Sequence, residues 1–197
     1  MTHRAATPRA IPLKDGFSTE PATFGGFVHR VGDDGRTVVA VAVLVDARTL
    51  EPLATHQACI PLEASLDVLP ALLAALAGLP APPDIAFVEG LGTAGPERTG
   101  LATRFGIATG LPCVAVSRVA PPGMHARINL HDMRGAFTPL RDGAEQVGWM
   151  LRSRVGADPL VVSPAHRVAM PSAPALVLGC IRDDRLPEPL RLALLAL

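Results

Sequence analysis

Residues 83–92 read Pro-Asp-Ile-Ala-Phe-Val-Glu-Gly-Leu-Gly, an apolar run that ends in a carboxylate and a Gly-x-Gly turn. The run predicts a short buried strand over residues 85–88. Glu89 then stands at the carboxyl end of that strand, where open α/β sheets bind ligands and metal ions. Glu89 is therefore a candidate catalytic residue. The simpler alternative is a carboxylate that only caps the turn through Gly90 and Gly92.

Two further motifs carry candidate catalytic groups. The segment Ser163-Pro164-Ala165-His166-Arg167-Val168 places His166 after a second apolar run. A lone histidine is more often structural than catalytic, so both interpretations of His166 stay open. Arg118 follows a third apolar run and is either a functional cation or a solvated charge. Arg167 is predicted either to pair with Glu89 or to face water.

Composition narrows the classes of function. The chain has 197 residues, enough for one domain, with 18 basic and 18 acidic residues and a net charge of zero. A dedicated nucleic-acid binder usually carries a basic excess, so this balance argues against that class. The three cysteines lack metal-ligand spacing and suit a reducing cytoplasm. The sequence shows neither a signal peptide nor an apolar run of membrane-spanning length.

Periodicity predicts an α/β protein. We expect an irregular arm over residues 1–20 and a single domain over residues 21–197. Apolar runs predict strands over residues 23–31, 37–45, 52–60, 85–88, 112–117, 137–140, 145–152 and 160–163, although residues 145–152 also suit a helix. Helices are predicted over residues 65–79, with Ser65 as N-cap, 96–109 and 172–181. This order fits a ribonuclease H-like mixed sheet with helices on both faces.

Several motifs, in the same order, resemble the endonuclease V family. They are Leu69–Ala75, Phe87–Gly92, Pro96–Arg98, Gly100–Gly106, the run from Glu145 to Ser153, the run from His166 to Ala173, and Arg185–Pro189. The similarity as a whole runs from about residue 23 to 192, with gaps. The resemblance implies a ribonuclease H-like fold and Mg²⁺-dependent cleavage of strands that contain inosine or deoxyinosine. It implies nucleic acid as the partner and Mg²⁺ as the cofactor.

The sequence departs from the residues that this resemblance implies. The family pattern has three carboxylates around the metal, together with a lysine and a histidine. Glu89 matches one carboxylate and His166 matches the histidine, while Arg118 stands at the lysine position. The other two carboxylate positions match Phe27 and Val68. An aromatic segment that separates strands in the family, expected between residues 60 and 65, is largely missing.

One carboxylate is a poor cage for Mg²⁺, which takes oxygen ligands, although Asp67 and Glu63 are near enough in sequence to be considered as replacements. We therefore expect cleavage to be weak or absent. In any residual reaction Glu89 would hold the metal, His166 would orient or activate water, and Arg118 would steady the phosphate.

Four residues are predicted to contact substrate: Gly90, Gly92, Arg167 and His29. His29 belongs to this set because it shares a strand face with Phe27.

Two alternatives to a nuclease stay open. In the first, the pocket at Glu89 binds or transforms a small molecule, with Glu89 as acid or base, alone or as one subunit of a heteromeric complex. In the second, the chain is a pseudoenzyme that binds without chemistry. Neutral charge and the missing strand-separating segment favour these alternatives, whereas tight, salt-sensitive binding of single-stranded DNA would argue against them.

Overall fold

The fold is taken from a computed structural model that describes residues 13–62, 66–124, 126 and 130–197. Within these ranges the strands are β1 Thr23–Val31, β2 Thr37–Asp46, β3 Pro52–Pro61, β4 Ile85–Glu89, β5 Cys113–Ser117, β6 Phe137–Asp142, β7 Glu145–Leu151 and β8 Leu160–His166. The helices are α1 Leu69–Ala77, α2 Leu101–Thr109, α3 Ser172–Gly179 and α4 Glu188–Leu195. Residues 13–22 contain neither helix nor strand.

The strands form one mixed sheet in the order β3-β2-β1-β4-β5-β8-β7-β6. The pairs β1–β4 and β4–β5 are parallel, and the remaining neighbours are antiparallel. Strands β1, β4, β5 and β7 therefore finish at the same end of the sheet, where β8 and β6 begin. We call this the Glu89 end, because Glu89 is the last residue of β4.

Helices cover both faces, as the sequence predicts. On one face α1 and α2 bury Leu72 and Phe105 against the sheet, together with Phe27. On the other face α3 and α4 bury Val177 and Leu190 against a second apolar layer. This arrangement confirms the α/β class and the ribonuclease H-like sheet. In the described part of the chain no helix is long and apolar enough to cross a bilayer.

The helix predicted over residues 96–109 is broken. A single 3-10 turn covers Pro96–Arg98, and α2 starts only at Leu101. The chain cannot continue as an α-helix there, because Glu97 and Arg98 have φ angles of 50° and 62°. At Gly100 a Cβ atom would overlap the backbone of Leu91. The break therefore reflects close backbone packing that local propensity does not reveal.

The other helix boundaries also differ from the predictions. Helix α1 begins at Leu69 after Val68, and the predicted N-cap Ser65 lies outside the described residues. Helix α4 was not predicted, because its eight residues offer too short a periodic pattern. Its signal is Pro189 in the first turn, a position that proline favours. Residues 145–151 are a strand, which resolves the ambiguity left by the sequence.

Candidate functional site at the Glu89 end

The strand register shows what surrounds Glu89. On one side Glu89 pairs with Val116 of β5. On the other side the ladder ends at the pair Phe27–Val88, so the next residue, Val28, lies beside Glu89. Val28 is fully buried in the same apolar layer as Phe87, and strand alternation puts Glu89 on that face as well. A hydrocarbon side chain is thus the neighbour of Glu89 on β1.

Phe27, which the sequence aligns with a metal ligand, faces the opposite side of the sheet. Its ring is fully buried, and its centroid lies 4.7 Å from that of Phe105 on α2. Because Phe27 and Val28 are both hydrocarbons, β1 offers Glu89 no oxygen donor at either position. The loss of a metal ligand at the position of Phe27 stays a prediction from the sequence.

Arg118 and Glu89 come together at this end of the sheet. The Arg118 guanidinium Nη2 donates to Glu89 Oε1 at 2.7 Å. The Glu89 side chain is 19% exposed and that of Arg118 is 51% exposed. An ion pair of this exposure adds only about 0–1 kcal/mol to stability. Its importance is chemical, since a fixed cation already occupies one oxygen of the carboxylate that a metal ion would need.

His29 lies near this pair and has an unusual environment. Its Nδ1 atom is buried and has no hydrogen-bond partner among the described residues. Burial lowers the pKa of His29 below its ordinary value, and the charge of Glu89 offsets part of that effect. Glu89 therefore acts on His29 electrostatically, although strand alternation puts His29 on the face of Phe27, opposite that of Glu89. A substrate contact for His29 stays a prediction.

His166 lies at the opposite end of the sheet from Glu89. It pairs with Cys113, the first residue of β5, whereas Glu89 pairs with Val116. That difference of three residues separates the two levels by about 10 Å along the strands. The His166 Nδ1 atom instead lies 2.8 Å from the carbonyl oxygen of Leu111. The prediction that His166 acts together with Glu89 is therefore corrected.

Arg167 accompanies His166 and does not reach Glu89. Its guanidinium donates to the carbonyl oxygens of Gly110 and Gly16, at 3.0 and 2.8 Å. It ties the N-terminal arm to the turn before β5, so the predicted pairing with Glu89 does not form. The pairing with Glu89 does not form because β8 runs antiparallel to β5, so β8 ends at the end of the sheet opposite Glu89.

The two glycines after Glu89 shape the backbone. Gly90 has a φ of 130°, and its N–H donates to Val116 O at 2.9 Å. Gly92 donates to Ser163 Oγ at 3.1 Å, and a Cβ there would overlap the backbone of Pro164. These contacts let the chain cross from β4 over β5 to β8. Gly90 adjoins the candidate site, and a substrate contact for either glycine stays a prediction.

The residues at this end do not fit a Mg²⁺ site. Asp67 forms an ion pair with Arg104 and accepts a hydrogen bond from Leu69 N at 3.0 Å, so its oxygens are engaged. Glu63 lies outside the described residues. Across the described ranges, no group of three or more His, Cys, Asp or Glu residues is arranged to hold a metal ion. One carboxylate already bound to arginine is too small a donor set for Mg²⁺.

Two cavities of small-molecule size lie elsewhere in the fold. One of 520 Å³ is lined mainly by apolar residues, including Phe17, Phe24 and Leu176. Another of 360 Å³ is polar and lies among residues 182–191. Glu89 lines neither of them. The alternative of a small-molecule pocket at Glu89 therefore gains no support from these cavities.

Comparison with known proteins assigns the family. A family model described as endonuclease V matches residues 8–195. The chain belongs to the endonuclease V family. The endonuclease V of Xanthomonas axonopodis pv. citri is 44% identical over 192 residues, which cover 94% of this chain and 80% of that protein. The endonuclease V of Azotobacter vinelandii is also 44% identical, over 82% of this chain and 75% of its own.

Solved structures of endonuclease V share the fold. The structure from Streptomyces avermitilis is 33% identical with a TM-score of 0.87, covering 94% of this chain and 84% of that chain. The human catalytic domain is 25% identical with a TM-score of 0.86, covering 94% and 87%. A Ciona intestinalis endonuclease V, solved with DNA that contains an inosine, is 17% identical with a TM-score of 0.81, covering 94% and 88%. At that identity the last likeness shows the fold alone.

One structural role in this family member escaped the sequence reasoning. Arg185, in the Arg185–Pro189 motif, donates through Nη2 to the carbonyl oxygens of Arg118 and Pro159, at 3.2 and 3.4 Å. Arg185 thereby fixes the backbone that carries Arg118. The motif itself was visible in the sequence, but its contact across 67 residues of chain was not.

Proposed function

We propose that this chain binds inosine-containing nucleic acid at the Glu89 end of the sheet and does not hydrolyse it by the Mg²⁺-dependent route. Membership of the endonuclease V family supports the first half, and so does the inosine-containing DNA bound by the Ciona relative. The second half rests on one observation, the Glu89–Arg118 ion pair beside the buried side chain of Val28.

The chemistry of phosphodiester hydrolysis explains why this observation matters. A catalytic Mg²⁺ polarises the phosphate and activates water, and the protein must hold the ion in a near-octahedral set of oxygens. At the Glu89 end the neighbouring strand supplies hydrocarbon, and Arg118 neutralises the carboxylate. A hydrated ion placed here would meet Val28 where it needs an oxygen. We therefore derive no catalytic step from a metal at this position.

Binding of a phosphate requires fewer protein groups than metal-dependent hydrolysis does. A guanidinium has five N–H donors, and Arg118 uses one strong contact to Glu89. Half of its side chain is exposed, so its other donors are free to meet a phosphate oxygen. Glu89 partly cancels that attraction. We therefore expect weaker binding than a basic nucleic-acid protein would show.

Cleavage is tested on a labelled single-stranded oligonucleotide with one deoxyinosine, in Mg²⁺ and in Mn²⁺. The Xanthomonas axonopodis relative is the positive control, and Glu89→Gln is the matched variant. We expect no product from this chain over a period in which the control reaction is complete. A product that requires the metal and disappears in Glu89→Gln would contradict the proposed loss of cleavage.

Binding is tested separately by fluorescence anisotropy with the same oligonucleotide and a deoxyadenosine version. We expect saturable binding that favours deoxyinosine and weakens about 5- to 10-fold in Arg118→Gln, as expected for one charge-assisted contact. If neither oligonucleotide binds at any protein concentration at which the protein stays monodisperse, the proposed function fails.

A further inference from the structure

An aromatic pair lies on the surface at the Glu89 end, away from Glu89 itself. Phe137, the first residue of β6, is 53% exposed and is one of six phenylalanines in the chain. Its ring centroid lies 5.0 Å from that of Trp149 in an edge-to-face arrangement. Trp149 is held in place because its indole N–H donates to Met170 O at 2.8 Å. An exposed ring supported in this way is a rigid apolar platform.

The strand register places this pair level with the Glu89–Arg118 pair. Glu89, Val116, Val162 and Trp149 occupy one row across β4, β5, β8 and β7. Two residues further along the strands, Leu151 pairs with Leu160 and with Phe137, and Leu160 is level with the residue after Ser117, which is Arg118. Each row crosses three strand spacings, which is about 14 Å.

Both pairs also share one face of the sheet. The residues between them in the rows, Val116, Val162, Leu160 and Leu151, all belong to the same buried apolar layer. Side chains paired across a sheet point to the same face. Phe137 and Trp149 therefore stand on the face and at the end where Glu89 and Arg118 lie.

The rim between the two pairs carries both basic and acidic residues. Arg185 is anchored at the backbone of Arg118. Nearer the aromatic pair, Arg134 is exposed and donates to Leu178 O at 3.2 Å, and Arg154 is exposed as well. The acidic residues on this rim are Asp132, which pairs with Arg152 at 3.1 Å, Asp158, and the exposed Asp183 and Asp184, which directly precede Arg185. A nucleic-acid strand that runs from Arg118 towards Phe137 therefore passes the cations of Arg134 and Arg154 without a net basic excess.

Building on the proposed function, we propose that Phe137, supported by Trp149, stacks against an unpaired base of the same nucleic-acid strand that binds at Glu89 and Arg118. Stacked nucleotides rise ~3.4 Å each, so ~14 Å corresponds to about four nucleotides and to fewer in an extended strand. Aromatic stacking accepts any base, and it commonly accompanies basic tracks in single-strand binders. The ligand is therefore single-stranded flanking sequence rather than duplex.

The sole tryptophan gives a direct readout. Trp149 touches Phe137, so a base that stacks there changes Trp149 emission, and no other residue contributes tryptophan fluorescence. The full chain is titrated with deoxyinosine oligonucleotides that carry zero to six flanking nucleotides on the 5′ side or on the 3′ side. We expect the emission to change only once one flank reaches about two to four nucleotides. Anisotropy should show affinity rising by about 5- to 100-fold at the same length.

Variants separate stacking from simple apolar contact. Phe137→Leu should abolish both the emission change and the gain from the flank, whereas Phe137→Trp, read by anisotropy, should keep the gain. The control is Ile107→Ala, which removes a side chain of similar exposure, 58%, from α2. Thermal melting verifies that each variant is folded.

The outcomes distinguish this inference from the proposed function. Short oligonucleotides should bind wild type and Phe137→Leu equally. If longer flanks then strengthen binding to wild type but not to Phe137→Leu, the results support both the proposed function and the stacking role. Binding without any dependence on flank length, or with equal losses at every length in Phe137→Leu, would overturn the stacking role alone. Such a result would leave Phe137 as a surface for a protein partner. Absence of binding at every length would overturn both.

Discussion

His29 combines a buried nitrogen with a nearby carboxylate, and that combination makes its protonation costly. The free Nδ1 atom would have to carry a proton without a partner in the described structure. Burial is the larger effect on its pKa, which it lowers, and Glu89 raises the pKa by a smaller amount. The folded chain therefore resists protonation of His29 more than the unfolded chain does.

This asymmetry predicts a pH dependence of stability. Above about pH 6.5 His29 is neutral in both states, and its contribution does not vary. As the pH falls below that value, the unfolded state takes up the proton first, so stability falls until the lowered folded pKa is passed. Urea unfolding at pH 7.5, 6.5 and 5.5 measures the slope. In His29→Gln the slope over this window should be smaller, and an unchanged slope would refute the assigned environment.

At the scale of elements, α4 sits against β1 through a backbone contact. A Cβ atom at Gly26 would overlap the carbonyl oxygen of Pro189, the second residue of α4. The close approach presses α4 onto the layer that contains Val28 and holds Leu190 in the core. The first turn of α4 is further fixed by the Glu188–Arg191 ion pair at 2.6 Å.

Enlarging Gly26 should therefore separate two elements. We expect Gly26→Ala to destabilise the fold by about 1–3 kcal/mol, because backbone and not a flexible side chain must move. Gly179→Ala is the matched control, since the added Cβ meets nothing within 4 Å. In helix α3 that change should be neutral or stabilising by up to about 1 kcal/mol. Equal effects of the two substitutions in urea unfolding would argue against the close packing of α4.

The strand before Glu89 was predictable because an apolar run and a glycine turn are local signals. The break before α2 was not, since it depends on left-handed backbone at Glu97 and Arg98. Likewise, the sequence indicated that His166 ends a strand, but only the antiparallel pairing of β8 with β5 shows which end of the sheet it reaches. Direction and register arise from the whole sheet, so local patterns do not fix them.

For the molecule as a whole, the net charge of zero does not show which arginines form ion pairs. Several form ion pairs: Arg98 with Asp142 and Glu145, Arg104 with Asp67, Arg152 with Asp132, Arg182 with Glu51, and Arg191 with Glu188. At the Glu89 end Arg118 is shared with Glu89. Within the described part of the chain, six arginines thus carry an acidic partner, whereas Arg134 and Arg154 on the rim have none.

The salt dependence of binding should report how many of these cations contact phosphates. For single strands the logarithm of affinity falls with the logarithm of salt concentration with a slope of about −0.7 for each phosphate neutralised. With Arg118, Arg134 and Arg154 as the available cations on the rim, we expect a slope of about −1.5 to −2. Arg134→Gln should make the slope shallower by about 0.7. Arg182→Gln, where the ion pair with Glu51 lies elsewhere, is the control and should leave the slope unchanged. Anisotropy from 25 to about 200 mM salt measures both slopes, and a slope as steep as about −5 would contradict a phosphate contact limited to these three arginines.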